Sequence, residues 1–368
     1  MVHTGLTLDV YNTHWTATGL HKKVIDIVMT PSSSTSLQQQ RILGCLYGQA
    51  VGDAFGMPSE LWSREKVRAF FGWIHDFLDG PEENIAANEF VRGQFTDDTS
   101  QMVALMDAII EEQGEIKPLT IARHIMKWAE GIDAFSKNIL GPTSKGALIA
   151  LQQGIPLEEI QANGVTNGAP MRIAPIGCLM PTSDKEAFIE AVRLACVPTH
   201  KSDIAIAGSV VIAWAISRAI EGAKWATIRT ELPPLAQEVQ SRFASTFSAS
   251  LGRRIELAFT AVDKAPTIES GLDDIYDLIG SGMDVIESIP AALGIVELSE
   301  GDPMLCAQLC ANLGGDTDTI GAMATAICGA LSGISALPLA ARQLIDQANR
   351  IDFGPYAEAL AHYRQQDV

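Results

Sequence analysis

The stretch Gly314-Gly315-Asp316-Thr317-Asp318-Thr319-Ile320-Gly321 leads into a run, Ile320 to Ala341, without charged residues. Glycine, then hydroxyl and carboxylate residues, then a small-residue apolar segment predicts a buried helix starting at the acidic cluster. The run has the length of a membrane span. Its content of Gly, Ala, Ser and Thr, and Pro338, predict instead a buried helix ending near Gly333. A second cluster, Thr96-Asp97-Asp98-Thr99, follows Gly93 and precedes another Ala- and Met-rich segment. Each cluster alone also reads as an ordinary helix cap, since Thr and Asp satisfy free N–H groups and complement the helix dipole. Two carboxylates where one cap suffices, at two places, predict more. If the helix ends meet, four carboxylates converge, and they cannot all ionise without cations or protons. Oxygen ligands without His or Cys favour Mg2+ or Mn2+ over zinc. The pattern points to a two-metal hydrolase.

Outward from these clusters the chain reads as helix almost throughout. From Arg41, apolar residues recur three and four apart at Ile42, Leu43, Leu46, Ala50 and Val51. Similar spacing marks 99–112, 120–131, 185–195, 204–221, 251–263, 285–298 and 303–312. Repeated strand alternation is missing, and so is an internal repeat. Breaks are expected at Gly80-Pro81, Gly141-Pro142, Pro181 to Asp184, Leu232-Pro233-Pro234 and Gly301-Asp302-Pro303. None is long enough for a domain linker. The expected fold is all-α: one compact domain over 39–368, an orthogonal helical bundle around a central dinuclear metal site. Residues 1–38 lack periodicity, end in a Ser/Thr-rich stretch and are expected to be a disordered, dispensable extension.

Composition limits the partners. The 368 residues carry a net charge of -18, with 47% hydrophobic and only 6% aromatic residues. A core of small aliphatic residues allows close helix approach. The negative charge argues against bulk nucleic acid or an anionic membrane as partner. A small anion is still admissible where metals or helix N-termini supply positive potential. Six cysteines without a Cys-x-x-Cys pair read as small core residues in a reducing, cytoplasmic setting. A monomer is expected.

Four motifs follow one another in order: Gly-Asp-Ala-Phe-Gly-Met-Pro-Ser-Glu (52–60), Phe-Thr-Asp-Asp-Thr-Ser (95–100), Asn-Gly-Ala-Pro-Met-Arg (167–172) and Gly-Gly-Asp-Thr-Asp-Thr-Ile-Gly (314–321). Together they resemble the ADP-ribosylglycohydrolase family. That family includes the dinitrogenase-reductase-activating glycohydrolases, the ADP-ribose-serine hydrolase and the J1 crystallins. The pattern is most similar to that of uncharacterised enterobacterial members. The resemblance runs from about Arg41 to the C-terminus.

The resemblance implies an all-α fold, two Mg2+ or Mn2+ ions, and metal ligands at Glu60, Thr96, Asp97, Asp98, Asp316, Asp318 and Thr319. Thr317 is expected to face elsewhere, and Asp53 to brace the turn. Catalytic roles fall to Asp97, Asp98 and Glu60. The ligand's diphosphate and ribose are implied at Gly164, Val165, Thr166, Asn167 and Gly168, with His200 and Met283 lining the site. Such a loop can also be a plain turn, His200 a structural histidine, Met283 a core residue, and Arg172 a brace rather than a phosphate contact. Gly164 stands where the serine hydrolase has a serine, and Pro170 removes a backbone donor. The implied reaction is hydrolysis of an ADP-ribosyl glycosidic bond on a protein, nucleic acid or small-molecule acceptor. The same scaffold would serve another glycosyl or phosphoester substrate, or a non-catalytic, crystallin-like binder. The segment with Trp128, Asp133 and Phe135 could place an aromatic beside the adenine and a carboxylate near the leaving group; a helix stopped at Gly131 is the simpler reading.

Overall fold

The structure, a computed structural model, describes residues 36–136 and 140–366. Sixteen α-helices are found among them. The first eight are α1 (Leu37–Gly56), α2 (Arg64–Phe71), α3 (Asp97–Glu111), α4 (Pro118–Gly131), α5 (Pro142–Gln152), α6 (Ala174–Leu179), α7 (Lys185–Cys196) and α8 (Asp203–Ile220). The rest are α9 (Trp225–Gln240), α10 (Leu251–Lys264), α11 (Ile268–Asp274), α12 (Val285–Leu298), α13 (Pro303–Ala311), α14 (Thr317–Ser332), α15 (Leu339–Asn349) and α16 (Gly354–Gln366). Pairing between extended segments in the described residues is limited to three isolated bridges. The expectation of an all-α fold holds.

Residues 1–35 of the expected extension lie outside the described residues. Its last residues do not: Ser36 caps α1, its Oγ accepting from Gln39 N at 3.1 Å. Leu37 and Gln38 therefore belong to the first helical turn of α1.

The axis of the molecule is the antiparallel pair α1 and α14. Helices α13, α15 and α16 lie against α1, while α8 and α12 flank α14. A further layer of α6, α7 and α9 packs on α8. At the far end Arg364, only 2% exposed, donates to the carbonyls of Gly177, Cys178 and Met180 at 3.1, 3.2 and 2.7 Å. It thereby closes the C-terminus of α6. Helix α14 stops at Gly333, which adopts a φ of 75°. Helix α8 is long and apolar enough to cross a membrane, but 89% of it is buried within the fold.

Two readings need correction. The expected break at Leu232-Pro233-Pro234 does not occur, because α9 continues through both prolines. Leu232, Leu235, Ala236 and Val239 bury one face there, and that burial outweighs the lost backbone hydrogen bonds. Trp128 is 3% exposed and belongs to the core; the ligand-side reading of it fails, and α4 does end at Gly131.

The α1–α14 contact is set by glycines four residues apart. A Cβ on Gly44 would lie 2.4 Å from Gly329 O, on Gly48 2.4 Å from Thr325 O, on Gly52 2.0 Å from Gly321 O, and on Gly56 2.2 Å from Thr317 O. From the other side, a Cβ on Gly329 would lie 2.0 Å from Gly44 O. Four successive turns of α1, from Gly44 to Gly56, thus touch backbone of α14 without an intervening side chain. Such an approach maximises dispersion contact and tolerates no added methyl. We expect Gly52→Ala to destabilise by about 3 kcal/mol or more, at or beyond the upper range for overpacking. Gly146 in α5 is the control, since a Cβ there meets nothing within 4 Å. Gly146→Ala should stabilise by roughly 0.5–1 kcal/mol. Urea denaturation of both variants checks the pair, and equal effects would refute the role given to the contact.

Candidate active site

The glycine contact fixes where the last turn of α1 meets the first turn of α14. Thr317 Oγ1 donates to Gly56 O at 2.8 Å and so faces α1, as its position predicts. Asp53, fully buried in α1, turns toward α3 instead. Its Oδ1 accepts from Thr96 N (2.8 Å) and Thr96 Oγ1 (2.9 Å). Its Oδ2 accepts from Thr99 N (3.0 Å) and Thr99 Oγ1 (2.6 Å). Asp53 therefore caps α3 from a different helix.

That borrowed cap decides between the two readings of the acidic clusters. Thr96 and Asp316 occupy the N-cap positions of α3 and α14, yet neither side chain accepts a capping bond from a backbone N–H of its own helix. They are free to face the space between the helix ends. Thr96 Oγ1 lies 3.1 Å from Asp98 Oδ2 and 3.3 Å from Asp318 Oδ2, joining the two clusters. Glu60 hydrogen bonds with Asp318 from the turn after α1. Asp316 Oδ2 accepts from Asn167 Nδ2 at 2.6 Å, and Thr319 Oγ1 adds a bond to the same carboxyl. Asp97 Oδ2 accepts from Gln101 Nε2 at 3.0 Å.

The turn that carries Glu60 needs glycine opposite it. Gly315, with a φ of 84°, exchanges hydrogen bonds of 2.7 Å with Leu61 N and Trp62 O. A Cβ on it would lie 2.2 Å from Ser281 O. Asn84 Nδ2 holds the other side of the turn through Glu60 O at 2.9 Å.

Crowding shifts every carboxyl the same way. Burial, and then the charge of Asp318, push Asp53 and Asp97 up to about 7. The same two causes lift Asp98, Glu60 and Asp316 well above the carboxylate range. Burial raises Asp318 to about 6. Asp98 Oδ1 and Asp318 Oδ1 are buried without any hydrogen-bond partner. Among the described residues, no three His, Cys, Asp or Glu side chains close on one point as a ready metal cage. The carboxylates expected to hold two ions are thus gathered at the helix ends and linked through Thr96, without forming a cage among the described residues. The donors fit hard divalent ions: all are oxygens, and two of them, buried, have no partner.

The loop 163–168 lies beside this set. It pairs with 283–285 through Asn167 N to Met283 O and Val285 N to Val165 O, both 2.9 Å. Ser202 Oγ donates to Gly164 O at 2.7 Å, and Gly168 packs on His200. His200 is 1% exposed and sits beneath the loop, where burial and the nearby Arg172 lower its pKa to about 3. Met283, 51% exposed, is on the rim. Beyond Asp316 opens a cavity of about 520 Å3 walled by Trp62, Tyr276, Met283 and Glu287. Arg172 is fully buried and donates to Gly168 O, so of its two readings the structure shows the brace. The residues missed from the sequence are Gln101, Thr199, Trp62 and Tyr276; only the location of Thr199 beside His200 hinted at a role.

Comparison with known proteins agrees with this architecture. Residues 34–367 match the profile of the ADP-ribosylglycohydrolase family. An uncharacterised protein of Escherichia coli (strain K12), YegU, is 56% identical over 330 residues, covering 90% of this chain and 99% of its own. The ADP-ribosylarginine hydrolase Tri1 of Pseudomonas putida (strain GB-1) is 27% identical, over 81% of this chain and 72% of its own. A solved structure titled as an ADP-ribosylglycohydrolase-related protein complex shares the fold, with a TM-score of 0.66 at 23% identity, over 89% of this chain and 99% of that one. With its acidic helix ends brought together inside an all-α fold, the chain belongs to the ADP-ribosylglycohydrolase family and is a glycosyl hydrolase.

Proposed function

We propose that this chain hydrolyses the glycosidic bond of an ADP-ribosylated acceptor with two Mg2+ or Mn2+ ions. The observation that carries the reading is the pair of buried, partnerless oxygens, Asp98 Oδ1 and Asp318 Oδ1, on helix ends joined through Thr96. Glu60, Thr96, Asp97, Asp98, Asp316, Asp318 and Thr319 would hold the ions. Bound ions would neutralise these carboxylates, orient a ribose diol and activate water. Gly164, Val165, Thr166, Asn167 and Gly168 would receive the diphosphate and ribose, with Met283 at the rim and His200 supporting from below. Asp97 is the partly exposed member of its pair and is the residue assigned to take the proton of the attacking water. The other carboxylates would stabilise positive charge developing on the ribose ring.

The leaving group would occupy the cavity beside Asp316. The Pseudomonas relative is named for ADP-ribosylarginine, which makes the arginine linkage the first to assay, with serine-linked and nucleotide-linked substrates beside it. Six free, buried cysteines support a cytoplasmic place of action.

Three outcomes test the reading. Asp98→Asn and Asp316→Asn should each abolish turnover, while the metal-free protein melts slightly higher because a repelling charge is gone. Near-normal turnover of either variant in excess metal would remove it from the ligand set.

The pH dependence of stability has a definite sign. A carboxyl raised from 3.8 to 6 or 7 stabilises the fold below its ordinary value and loses that contribution as pH climbs through 6 to 7. His200 acts oppositely, but only below its ordinary 6.5. With chelator present, the melting temperature should fall between pH 6.5 and 8, and Mg2+ or Mn2+ should reverse the fall. A rising curve, or no response to metal at pH 8, would refute the crowded carboxylate site.

ADP-ribose itself should bind, and only with metal, because a chain of charge -18 otherwise repels a diphosphate. Calorimetry with and without Mg2+ measures this. Failure to bind at millimolar ligand with metal present would shift the assignment to another glycosyl or phosphoester.

A further inference from the structure

A continuous chain of hydrogen bonds, buried at its centre and partly buried at both ends, joins the acidic site to the 163–168 loop. At one end Gln101 Nε2 donates to Asp97 Oδ2 at 3.0 Å. Gln101 Oε1 accepts from Arg172 Nη1 at 3.3 Å. Arg172 Nη2 donates to Thr199 Oγ1 at 2.6 Å. Thr199 Oγ1 lies 2.9 Å from His200 Nδ1, and His200 Nε2 lies 3.2 Å from Thr166 Oγ1. Gln101, Arg172, Thr199 and His200 are 1%, 0%, 0% and 1% exposed. None of these four touches the cavity beside Asp316, and the mechanism above uses none of them directly except His200 as support.

The polarity of this chain follows from its centre. A guanidinium has donors only. Gln101 must therefore present its oxygen to Arg172 and its amide protons to Asp97. Thr199 must accept from Arg172, and His200 Nδ1 is the neighbouring acceptor its own proton can reach. Burial and the Arg172 charge keep His200 neutral. A neutral imidazole that accepts at Nδ1 carries its proton on Nε2 and donates it to Thr166 Oγ1. The Thr166 hydroxyl proton is then free. Thr166 is half-buried at the edge of the loop, so that proton is available to a ligand.

We propose that Arg172, through Thr199 and His200, fixes Thr166 as a hydrogen-bond donor to an anionic oxygen of the ligand, and through Gln101 orients Asp97 as an acceptor. Arg172, Thr199, His200 and Gln101 are positioning residues; Thr166 is the group that meets the ligand. The inference rests on the ADP-ribose reading for the identity of the anion, a diphosphate. The direction of the chain follows from the donor-only guanidinium together with a neutral, buried His200, without reference to the ligand.

Two measurements test it. Thr199→Val replaces the hydroxyl by a methyl of similar volume. The imidazole then loses its Nδ1 donor, and Nε2 is free to accept from Thr166, turning that proton away from the ligand. ADP-ribose affinity with saturating Mg2+ should fall about tenfold, the effect of one hydrogen bond to a charged group. Thr199→Ser should restore it to within about twofold, and Mn2+ affinity should be unchanged in both, because the Gln101 arm is intact. Unchanged ADP-ribose affinity in Thr199→Val would overturn the relay. Absence of binding by the unsubstituted protein would instead overturn the ADP-ribose reading, and the ligand role of Thr166 with it. The second measurement needs no change to the core: two-bond proton–nitrogen spectra of the histidine-labelled protein, with His200 identified by His200→Gln. A neutral ring protonated on Nε2 between pH 6 and 8 is the expected result. A ring protonated on Nδ1, or charged, would overturn the proposal.

Discussion

Backbone-to-backbone contact between α1 and α14 is the constraint on which the rest of the molecule depends. Glycines at 44, 48, 52 and 56 let the two helices meet with no side chain between them at four successive levels of α1. Opposed carbonyls and Cα atoms at that separation leave one register. The register sets Gly52 at the level of Gly321 and Gly56 at the level of Thr317. Side chains at the ends of the pair are thereby aimed by the main chain rather than by flexible packing. Preorganisation of this kind keeps charged groups in place despite their mutual repulsion.

Repulsion is the opposing force. Six carboxyls, those of Asp53, Glu60, Asp97, Asp98, Asp316 and Asp318, are raised together by burial and by one another. A fold that gathers them gives up stability at neutral pH, and such a concession is found where function demands it. Asp53 shows how the strain is limited: four donors from Thr96 and Thr99 satisfy both its oxygens. It carries charge near the site without being open to it. Asp98 and Asp318 have no comparable set, and each retains one buried oxygen without a partner.

Much of this was legible in the sequence. The apolar spacing read over 99–112 and 285–298 matches α3 and α12, and the doubled carboxylates singled out the two clusters whose meeting the structure then shows. The brace role of Asp53, and Thr317 facing away, were likewise readable. The passage of α9 through Pro233 and Pro234 was not, because local propensity is overridden there by burial on one face. The glycine spacing of α1 was in plain sight, but its meaning depends on a partner more than two hundred residues away. The relay from Asp97 to Thr166 has no sequence signature, since its members are spread over Gln101, Arg172, Thr199 and His200 and become neighbours only by packing. The cavity walls Trp62 and Tyr276 were hidden for the same reason.

The separation of α1 from α14 also bears on biosynthesis. Thr317 and Gly56, which meet at 2.8 Å, are 261 residues apart in the chain. At roughly 5–20 residues per second, α1 leaves the ribosome tens of seconds before its partner exists. Its glycine face has no local substitute, and a glycine-rich helix has weak intrinsic stability. The central axis can therefore assemble only when nearly all of the polypeptide has been made. Long-range closure of this sort implies slow, concerted folding and gives no intermediate-length fragment a functioning centre.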